Sequence, residues 1–107
     1  MFRAPYGVRC KRLDQALAAR DLLQVGWNMD PQEWNGGSED ATYDYVTRKL
    51  AHFTGRAILL LHDTHGEAVR ALPRILDWIA HENDRAARKG ELPIVIRDPA
   101  TGNAGVR

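Results

Sequence analysis

The feature that most limits how this chain can fold is an unbroken apolar run, Ala57 to Leu61, that ends on His62 and Asp63. Apolar residues without alternation predict a parallel strand that is covered on both faces. Titratable side chains at the carboxyl end of such a strand lie where open α/β sheets and β/α barrels place their chemistry. The run therefore indicates an active-site edge and not simply a packed strand.

Three passages have the apolar spacing of helices, at 11–23, 40–53 and 66–88. Ser38 or Asp40 can cap the second helix, because short polar side chains accept hydrogen bonds from the first free N–H groups. In the third, we expect Pro73 to weaken or bend the first turn, so that the regular helix begins there. Trp78 is expected to pack with the apolar stripe of this helix, which consists of Val69, Leu72, Ile75, Leu76 and Ile79.

Strand candidates alternate with these helices, at Leu23–Met29, Ala57–Leu61 and Pro93–Ile96, with a short one at Phe2 and Arg3. This order predicts right-handed βαβ units and a parallel sheet, hence an α/β fold class. A chain of 107 residues forms one domain at most. We expect a flexible tail at 99–107.

Composition excludes several functional classes. The net charge of +1 gives no electrostatic case for nucleic acid or an anionic membrane. The basic residues from Arg85 to Lys89 are interpreted as a solvated helix end. No apolar run approaches the roughly 20 residues that span a bilayer, and the first residues lack the apolar core of a signal peptide. Cys10 is the only cysteine, so an internal disulfide is excluded. The sequence does not indicate the cellular compartment.

Three motifs in order resemble the polysaccharide deacetylase family with the NodB homology domain, also called carbohydrate esterase family 4. The segment Arg3 to Gly7 (RAPYG) resembles the family's Arg-x-Pro-Tyr motif, and Trp27 to Trp34 (WNMDPQEW) is similar to its Asp-x-x-Asp-Trp loop. The segment Leu60 to Asp63 (LLHD) resembles its Leu-x-His-Asp motif, and Ala71 to Leu76 is a familiar continuation. The resemblance implies that residues 1–98 form the carboxyl-terminal part of such a domain, a partial (β/α) barrel of the NodB type.

Two family motifs, Thr-Phe-Asp-Asp and His-x-x-x-His, do not occur in this chain. In the family they supply the Asp-His-His metal ligands and the aspartate general base. The complete domain is therefore expected to hold a divalent metal, zinc by expectation, and this chain alone to hold none. Because the first motif begins almost at Met1, we expect a chain cut from something longer, and one that is inactive alone.

The function that the resemblance implies is metal-dependent N-deacetylation of an N-acetylglucosamine-type polysaccharide or peptidoglycan. His62 would be the acid that protonates the departing amine, a task that suits an imidazole. Arg3 would bind the aspartate base with its guanidinium fork. The backbone N–H of Tyr6 would stabilise the oxyanion, although a tyrosine simply packed at a turn is an equal reading.

The acidic loop supplies the remaining candidates. Glu33 stands where the family has the aspartate that pairs with the catalytic histidine, and it adds one methylene. Asp30 matches the loop's first acid and could compensate, or it could cap the loop before Pro31. Trp34 and Leu60 would form the apolar pocket for the acetyl methyl, a role compatible with plain core packing.

Alternative readings stay open. His62, Asp63 and His65 could contribute to a metal site, although Asp63 is better suited to cap the following helix. The chain could also be a non-catalytic half-barrel that self-associates, or pairs with a complementary chain, through exposed sheet edges. A complete small hydrolase that uses His62 with another base is the weakest alternative, since no Gly-x-Ser-x-Gly elbow occurs and no motif surrounds Cys10.

Overall fold

Three α-helices dominate the chain. A computed structural model of the protein describes residues 1–98, and the predicted tail at 99–107 lies outside this range. The helices are α1 (Lys11–Ala18), α2 (Glu39–Ala51) and α3 (Gly66–Lys89). Two short 3₁₀ turns, Pro5–Gly7 and Glu33–Asn35, precede α1 and α2. None of the helices in the described range is long and apolar enough to cross a membrane.

Helix α1 ends at Ala18, earlier than the prediction of Leu23. The Leu22 N–H donates to the Leu17 carbonyl at 3.0 Å, and the Asp21 N–H donates to the Ala18 carbonyl at 3.2 Å. Asp21 has a φ of 51°. These bonds form the Schellman ending, in which one left-handed residue satisfies the last carbonyls. The helix stops early because Asp21 takes the position that glycine usually occupies.

Helix α2 begins as the capping pattern predicts. The Ala41 N–H donates to Ser38 Oγ at 3.0 Å, so Ser38 is the cap. Glu39 and Asp40 lie in the first turn, where the helix dipole favours acids. They also pair with Arg74 of α3 at 3.1 and 2.7 Å. The hydrogen bonds from Asp40 and Glu39 raise the pKa of Arg74.

The expected late start of α3 at Pro73 is wrong. The helix runs unbroken from Gly66, with Pro73 inside it. The turns before Pro73 are supported by burial of Ala68 and Ala71. Arg70 adds an ion pair to Glu39 of α2 at 3.2 Å. The stabilisation from these tertiary contacts therefore exceeds the cost of the main-chain hydrogen bond that proline cannot donate.

The predicted apolar stripe of α3 is only partly correct. Ile75 is buried, and Ile79 packs against the core. Val69, Leu72 and Leu76 are instead 41–52% exposed. Ala71 instead lies in the buried cluster with Val46 of α2, and its small side chain lets the two helices approach. Trp78 is partly buried, in keeping with the predicted packing role.

The core lies between α2, α3 and two extended segments. Its fully buried members are Met29, Val46, Ala71 and Ile75. Partly buried apolar side chains surround them: Tyr43, Tyr45, Leu50, Leu59 and Ile79. Met29 and Leu59 come from the extended segments, so the segments that carry the family motifs are fixed against the helix pair.

Pairing of the extended segments is parallel, as predicted, but no regular strand forms within residues 1–98. Phe2 bridges Gln24 and Met29 bridges Leu59, each as an isolated parallel bridge. Of the strand predicted at Leu23–Met29 only Gln24 and Met29 form bridges, and of that predicted at Ala57–Leu61 only Leu59 does. The structure does not confirm a partial barrel in the described part of the chain.

One reason for the interrupted pairing is that an asparagine side chain takes part in it. Asn28 Nδ2 donates to the Arg56 carbonyl at 3.0 Å, and the Ile58 N–H donates to Asn28 Oδ1 at 2.7 Å. The amide thus occupies two main-chain groups that a neighbouring backbone would pair in a regular ladder.

A second asparagine makes the same kind of contact near the end of the described range. Asn83 Nδ2 donates to the Ile94 carbonyl at 2.9 Å, and the Ile94 N–H donates to Asn83 Oδ1 at 2.7 Å. The segment predicted as a strand at Pro93–Ile96 is therefore pinned to α3 by a side chain instead of pairing as a strand.

Candidate active site

Parallel register brings the acidic loop to the histidine. Because Met29 pairs with Leu59 in parallel, the residues that follow them also lie side by side. Asp30 lies beside Leu60, and the loop that follows Asp30 lies beside His62. The Leu60 N–H donates to the Met29 carbonyl at 2.9 Å and fixes this register. The 3₁₀ turn Glu33–Asn35 then places a carboxylate opposite His62.

Glu33 and His62 form the most closely bonded pair of the candidate site. Glu33 Oε1 lies 2.8 Å from His62 Nδ1 and also accepts the His62 main-chain N–H at 2.7 Å. The Glu33 side chain is fully buried, whereas that of His62 is 36% exposed. The carboxylate oxygen and the ring nitrogen lie within hydrogen-bond distance, and which of them carries the hydrogen depends on the tautomer of the ring. The extra methylene of Glu33 does not prevent its reach.

Two further features complete the surroundings of the pair. Glu33 Oε2 is buried and has no hydrogen-bond partner within residues 1–98. The His65 ring lies edge-on to the His62 ring, with centroids 5.7 Å apart. Since Nδ1 is engaged, Nε2 is the His62 nitrogen left for a substrate.

Asp30 acts locally in this structure. Its Oδ1 accepts the Gln32 N–H at 2.9 Å, an Asx turn that supports the positive φ of 54° at Gln32. Asp30 makes no bond to His62, and the proposed compensation for Glu33 is not needed. Its position matches the loop-capping reading.

The two candidates for the acetyl pocket differ in exposure. Leu60 is 5% exposed and Trp34 is 48% exposed. Leu60 is therefore core at its present position, and Trp34 offers a free ring surface on the loop that carries Glu33. Trp34 follows Glu33 directly in the chain, and Leu60 lies two residues before His62, the partner of Glu33.

Arg3 and Tyr6 lie on the neighbouring segment. The Arg3 guanidinium carbon lies 5.2 Å from the Trp27 ring centroid, and Arg3 forms no ion pair in the described range. Tyr6 has a φ of 57° and its side chain points to solvent, 98% exposed. The Tyr6 main-chain N–H donates no hydrogen bond among the described residues. Within residues 1–98, no side-chain hydrogen bond, ion pair or ring contact joins Arg3 or Tyr6 to Glu33 or His62.

The described residues do not fit a metal centre. No group of three His, Cys, Asp or Glu side chains in residues 1–98 is arranged to hold an ion, so the site considered for His62, Asp63 and His65 is not formed. The prediction that Asp63 caps α3 is also wrong. The cap position belongs to His65, which makes no side-chain cap bond. The His65 N–H donates to the His62 carbonyl, so a backbone turn starts the helix two residues beyond Asp63.

Comparison with known proteins agrees with the motifs. The chain is 33% identical over 105 residues to the bifunctional xylanase/xylan deacetylase of Cellvibrio japonicus. It is 38% identical over 61 residues to the chitooligosaccharide deacetylase of Sinorhizobium fredii. The solved family 4 carbohydrate esterase of Streptomyces lividans, in complex with acetate, is 32% identical and matches 97% of this chain with a TM-score of 0.64.

The chain belongs to carbohydrate esterase family 4. It corresponds to the carboxyl-terminal portion of these polysaccharide deacetylases. It spans 14% of the Cellvibrio enzyme, 27% of the Sinorhizobium enzyme and 48% of the Streptomyces chain. No protein-family model matches the chain.

Sequence reasoning assigned no role to Trp27 or Asn28, although both lie in or beside the acidic-loop motif. Trp27 contacts Arg3, and Asn28 fixes the segment that leads to His62. The parallel order of the segments was the available signal, because it places residues after Phe2 beside residues after Gln24.

Proposed function

We propose that this chain supplies the proton-donating side of a carbohydrate N-deacetylase that acts on N-acetylglucosamine-type polysaccharide or peptidoglycan. The observation that carries the proposal is the bond between Glu33 Oε1 and His62 Nδ1, 2.8 Å long. A carboxylate that holds Nδ1 orients the ring, as general acid catalysis by the other nitrogen requires. His62 remains 36% exposed, so its outer nitrogen can be reached.

In the proposed reaction, water adds to the acetamide carbonyl and the C–N bond then breaks. His62 Nε2 gives its proton to the departing nitrogen, so that a free amine and acetate are the products. Glu33 keeps the ring oriented and balances its charge while it is protonated. An amide nitrogen leaves poorly as an anion, so this proton is the main contribution of the pair.

Other residues are assigned supporting roles. The Tyr6 N–H, which is free of internal bonds, would donate to the developing oxyanion. Arg3 would bind the carboxylate of the general base. Trp34, which is exposed, would contact the acetyl methyl together with Leu60. Asp30 would keep the loop in its turn and would not touch the substrate.

The metal and the base lie outside this set of residues in our proposal. The family resemblance implies a divalent metal, with zinc as the expected ion, yet residues 1–98 offer no ligand group for it. We therefore expect the 107-residue chain to be inactive alone. Its parallel segments and helices would complete a NodB-type (β/α) barrel only together with a complementary part.

Reconstitution tests the proposal. The chain is mixed with the part of the Streptomyces lividans esterase that it does not cover, with zinc, and acetate release is followed from N-acetylchitooligosaccharide and from acetylated xylan. We expect release only from the mixture. His62→Gln should lower the rate on the amide by about 10²- to 10⁴-fold and the rate on the ester by less, because an alcohol leaves more readily.

His81→Gln is the matched control, since His81 is exposed on α3. It should leave both rates unchanged. Amide hydrolysis that persists in the His62→Gln mixture would reject the role of His62. A folded mixture that releases no acetate from either substrate would reject the enzymatic proposal.

One observation favours a second candidate, the non-catalytic module. Val69, Leu72 and Leu76 form a half-exposed apolar face on α3, and Leu23 is 69% exposed on an extended segment. In the non-catalytic alternative, this apolar surface would bind a second copy of the chain or a complementary chain. Analytical ultracentrifugation discriminates, because self-association predicts a concentration-dependent dimer, whereas a monodisperse monomer would count against it.

A further inference from the structure

We propose that Trp27 is a positioning residue that holds both the Arg3 side chain and the Pro5–Gly7 turn. The inference rests on the proposed function for its purpose, since that function assigns a carboxylate to Arg3 and an oxyanion to the Tyr6 N–H. Its structural content is independent of that function, because it concerns contacts within the described chain.

Parallel register brings the two motifs together. Phe2 pairs with Gln24, with the Phe2 N–H donating to the Leu23 carbonyl and the Val25 N–H donating to the Phe2 carbonyl, both at 2.8 Å. In a parallel pair, residues at equal distances after the bridge lie side by side. Pro5 is three residues after Phe2 and Trp27 is three residues after Gln24, so these two residues are neighbours. The 3₁₀ turn therefore starts beside the indole.

The turn lies in contact with the indole. A Cβ built on Gly7 would clash with Cη2 of Trp27, so only a residue without a side chain lets the ring lie this close. Gly7 also has a φ of 66°, next to Tyr6 at 57°. Glycine adopts this conformation readily, whereas the left-handed conformation is strained for Tyr6, and the ring restricts the space into which this turn could relax.

The Arg3 cation lies over the same indole. The Arg3 guanidinium carbon is 5.2 Å from the ring centroid, within the range of cation–π attraction. Arg3 is exposed and has no carboxylate partner in the described residues. Trp27 is therefore what limits its motion, and it does so while leaving the N–H fork free for an anion.

Nuclear magnetic resonance of the 107-residue chain tests the inference with acetate as the carboxylate probe. In the wild type, we expect ring-current upfield shifts of the Arg3 side-chain protons and changes of Arg3 Nε–H and Tyr6 N–H signals on addition of acetate. Trp27→Leu should remove the upfield shifts and weaken the acetate response by about two- to fivefold. Trp27→Phe should retain most of the upfield shifts and most of the acetate response, since it keeps an aromatic ring at this position.

Trp78→Leu is the matched control, because it removes a partly buried indole from α3. It should leave the Arg3 and Tyr6 signals unchanged. Wild-type signals without upfield shifts or without an acetate response, or a Trp27→Leu chain that keeps both, would overturn the inference. Failure of the proposed function would appear separately, as absent acetate release with these signals intact.

Discussion

The Glu33–His62 pair and the Arg3–Trp27 contact come from motifs of the same family, yet the structure builds them very differently. The pair joins a fully buried carboxylate to a ring and to a main-chain N–H, with bonds of 2.7 and 2.8 Å. The Arg3 contact is a single cation–π interaction at an exposed position. The Glu33–His62 pair is thus preorganised within this chain, and Arg3 has no carboxylate partner within residues 1–98.

The largest effect that would sharpen this contrast is expected from Glu33→Ala. The change removes one oxygen that accepts two hydrogen bonds and leaves the His62 main-chain N–H unpaired. We expect the free energy of unfolding to fall by about 2 kcal/mol, as measured by urea denaturation. Glu67→Ala, which alters only a 3.8 Å surface pair, is the control and should change it by less than about 0.5 kcal/mol. Equal effects of the two changes would remove the distinction.

A smaller effect is expected from Asn28→Ala. This change removes the two amide bonds to Arg56 and Ile58. Because the bonds are exposed, we expect a loss of about 1 kcal/mol, with nuclear magnetic resonance shifts at His62 larger than those at Arg3. Asn35→Ala is the control, since the Asn35 side chain makes no hydrogen bond within the described chain. Perturbation of Arg3 alone would show that Asn28 does not serve the histidine side.

Arg3→Ala should affect stability less than either change. One exposed cation–π contact contributes about 0.5–1 kcal/mol at most, so a small shift of the urea midpoint is expected. Lys11→Ala, at an exposed position in α1, provides the reference for removal of a surface charge. A loss as large as that of Glu33→Ala would show that Arg3 is a structural residue, contrary to the comparison.

The smallest expected effect lies away from both regions, at Glu82 and Arg85. The hydrogen bond from Arg85 lowers the pKa of Glu82, and the two side chains lie 2.7 Å apart. A lowered folded-state pKa contributes stability that is present at neutral pH and is lost as the pH falls through that pKa. We therefore expect the free energy of unfolding, measured by urea denaturation at several acidic pH values, to fall less steeply with decreasing pH in Glu82→Gln than in the wild type. An unchanged pH dependence would show that the pair contributes nothing.

The sequence predicted helix positions better than contacts. Ser38 gave a usable start signal for α2, whereas Asp21 ended α1 in a left-handed conformation that few non-glycine residues adopt. The exposed side of α3 was missed because helical spacing cannot tell which of two adjacent faces meets α2. The strands were overpredicted because periodicity does not reveal that Asn28 and Asn83 occupy backbone groups with their side chains.

The candidate site was predictable as a set of residues but not as a geometry. The motifs indicated Glu33 and His62. They did not show whether the longer Glu33 side chain reaches His62, which depends on the 3₁₀ turn at Glu33–Asn35. The same motifs named Asp30, which the structure uses as a loop cap. No motif indicated that Trp27 would contact Arg3, since that contact depends on the pairing of segments 22 residues apart at Phe2 and Gln24.

The most direct test is the protonation of the His62 ring, read from long-range ¹H–¹⁵N correlations of the imidazole in the wild type and in Glu33→Gln. Our account predicts that Nδ1 keeps its hydrogen when the ring is neutral, with Nε2 as the nitrogen that gains and loses the proton. In Glu33→Gln the Nδ1–H form should lose population. A neutral ring with its hydrogen on Nε2, unaffected by the change at Glu33, would contradict the assignment of His62 as the proton donor held by Glu33.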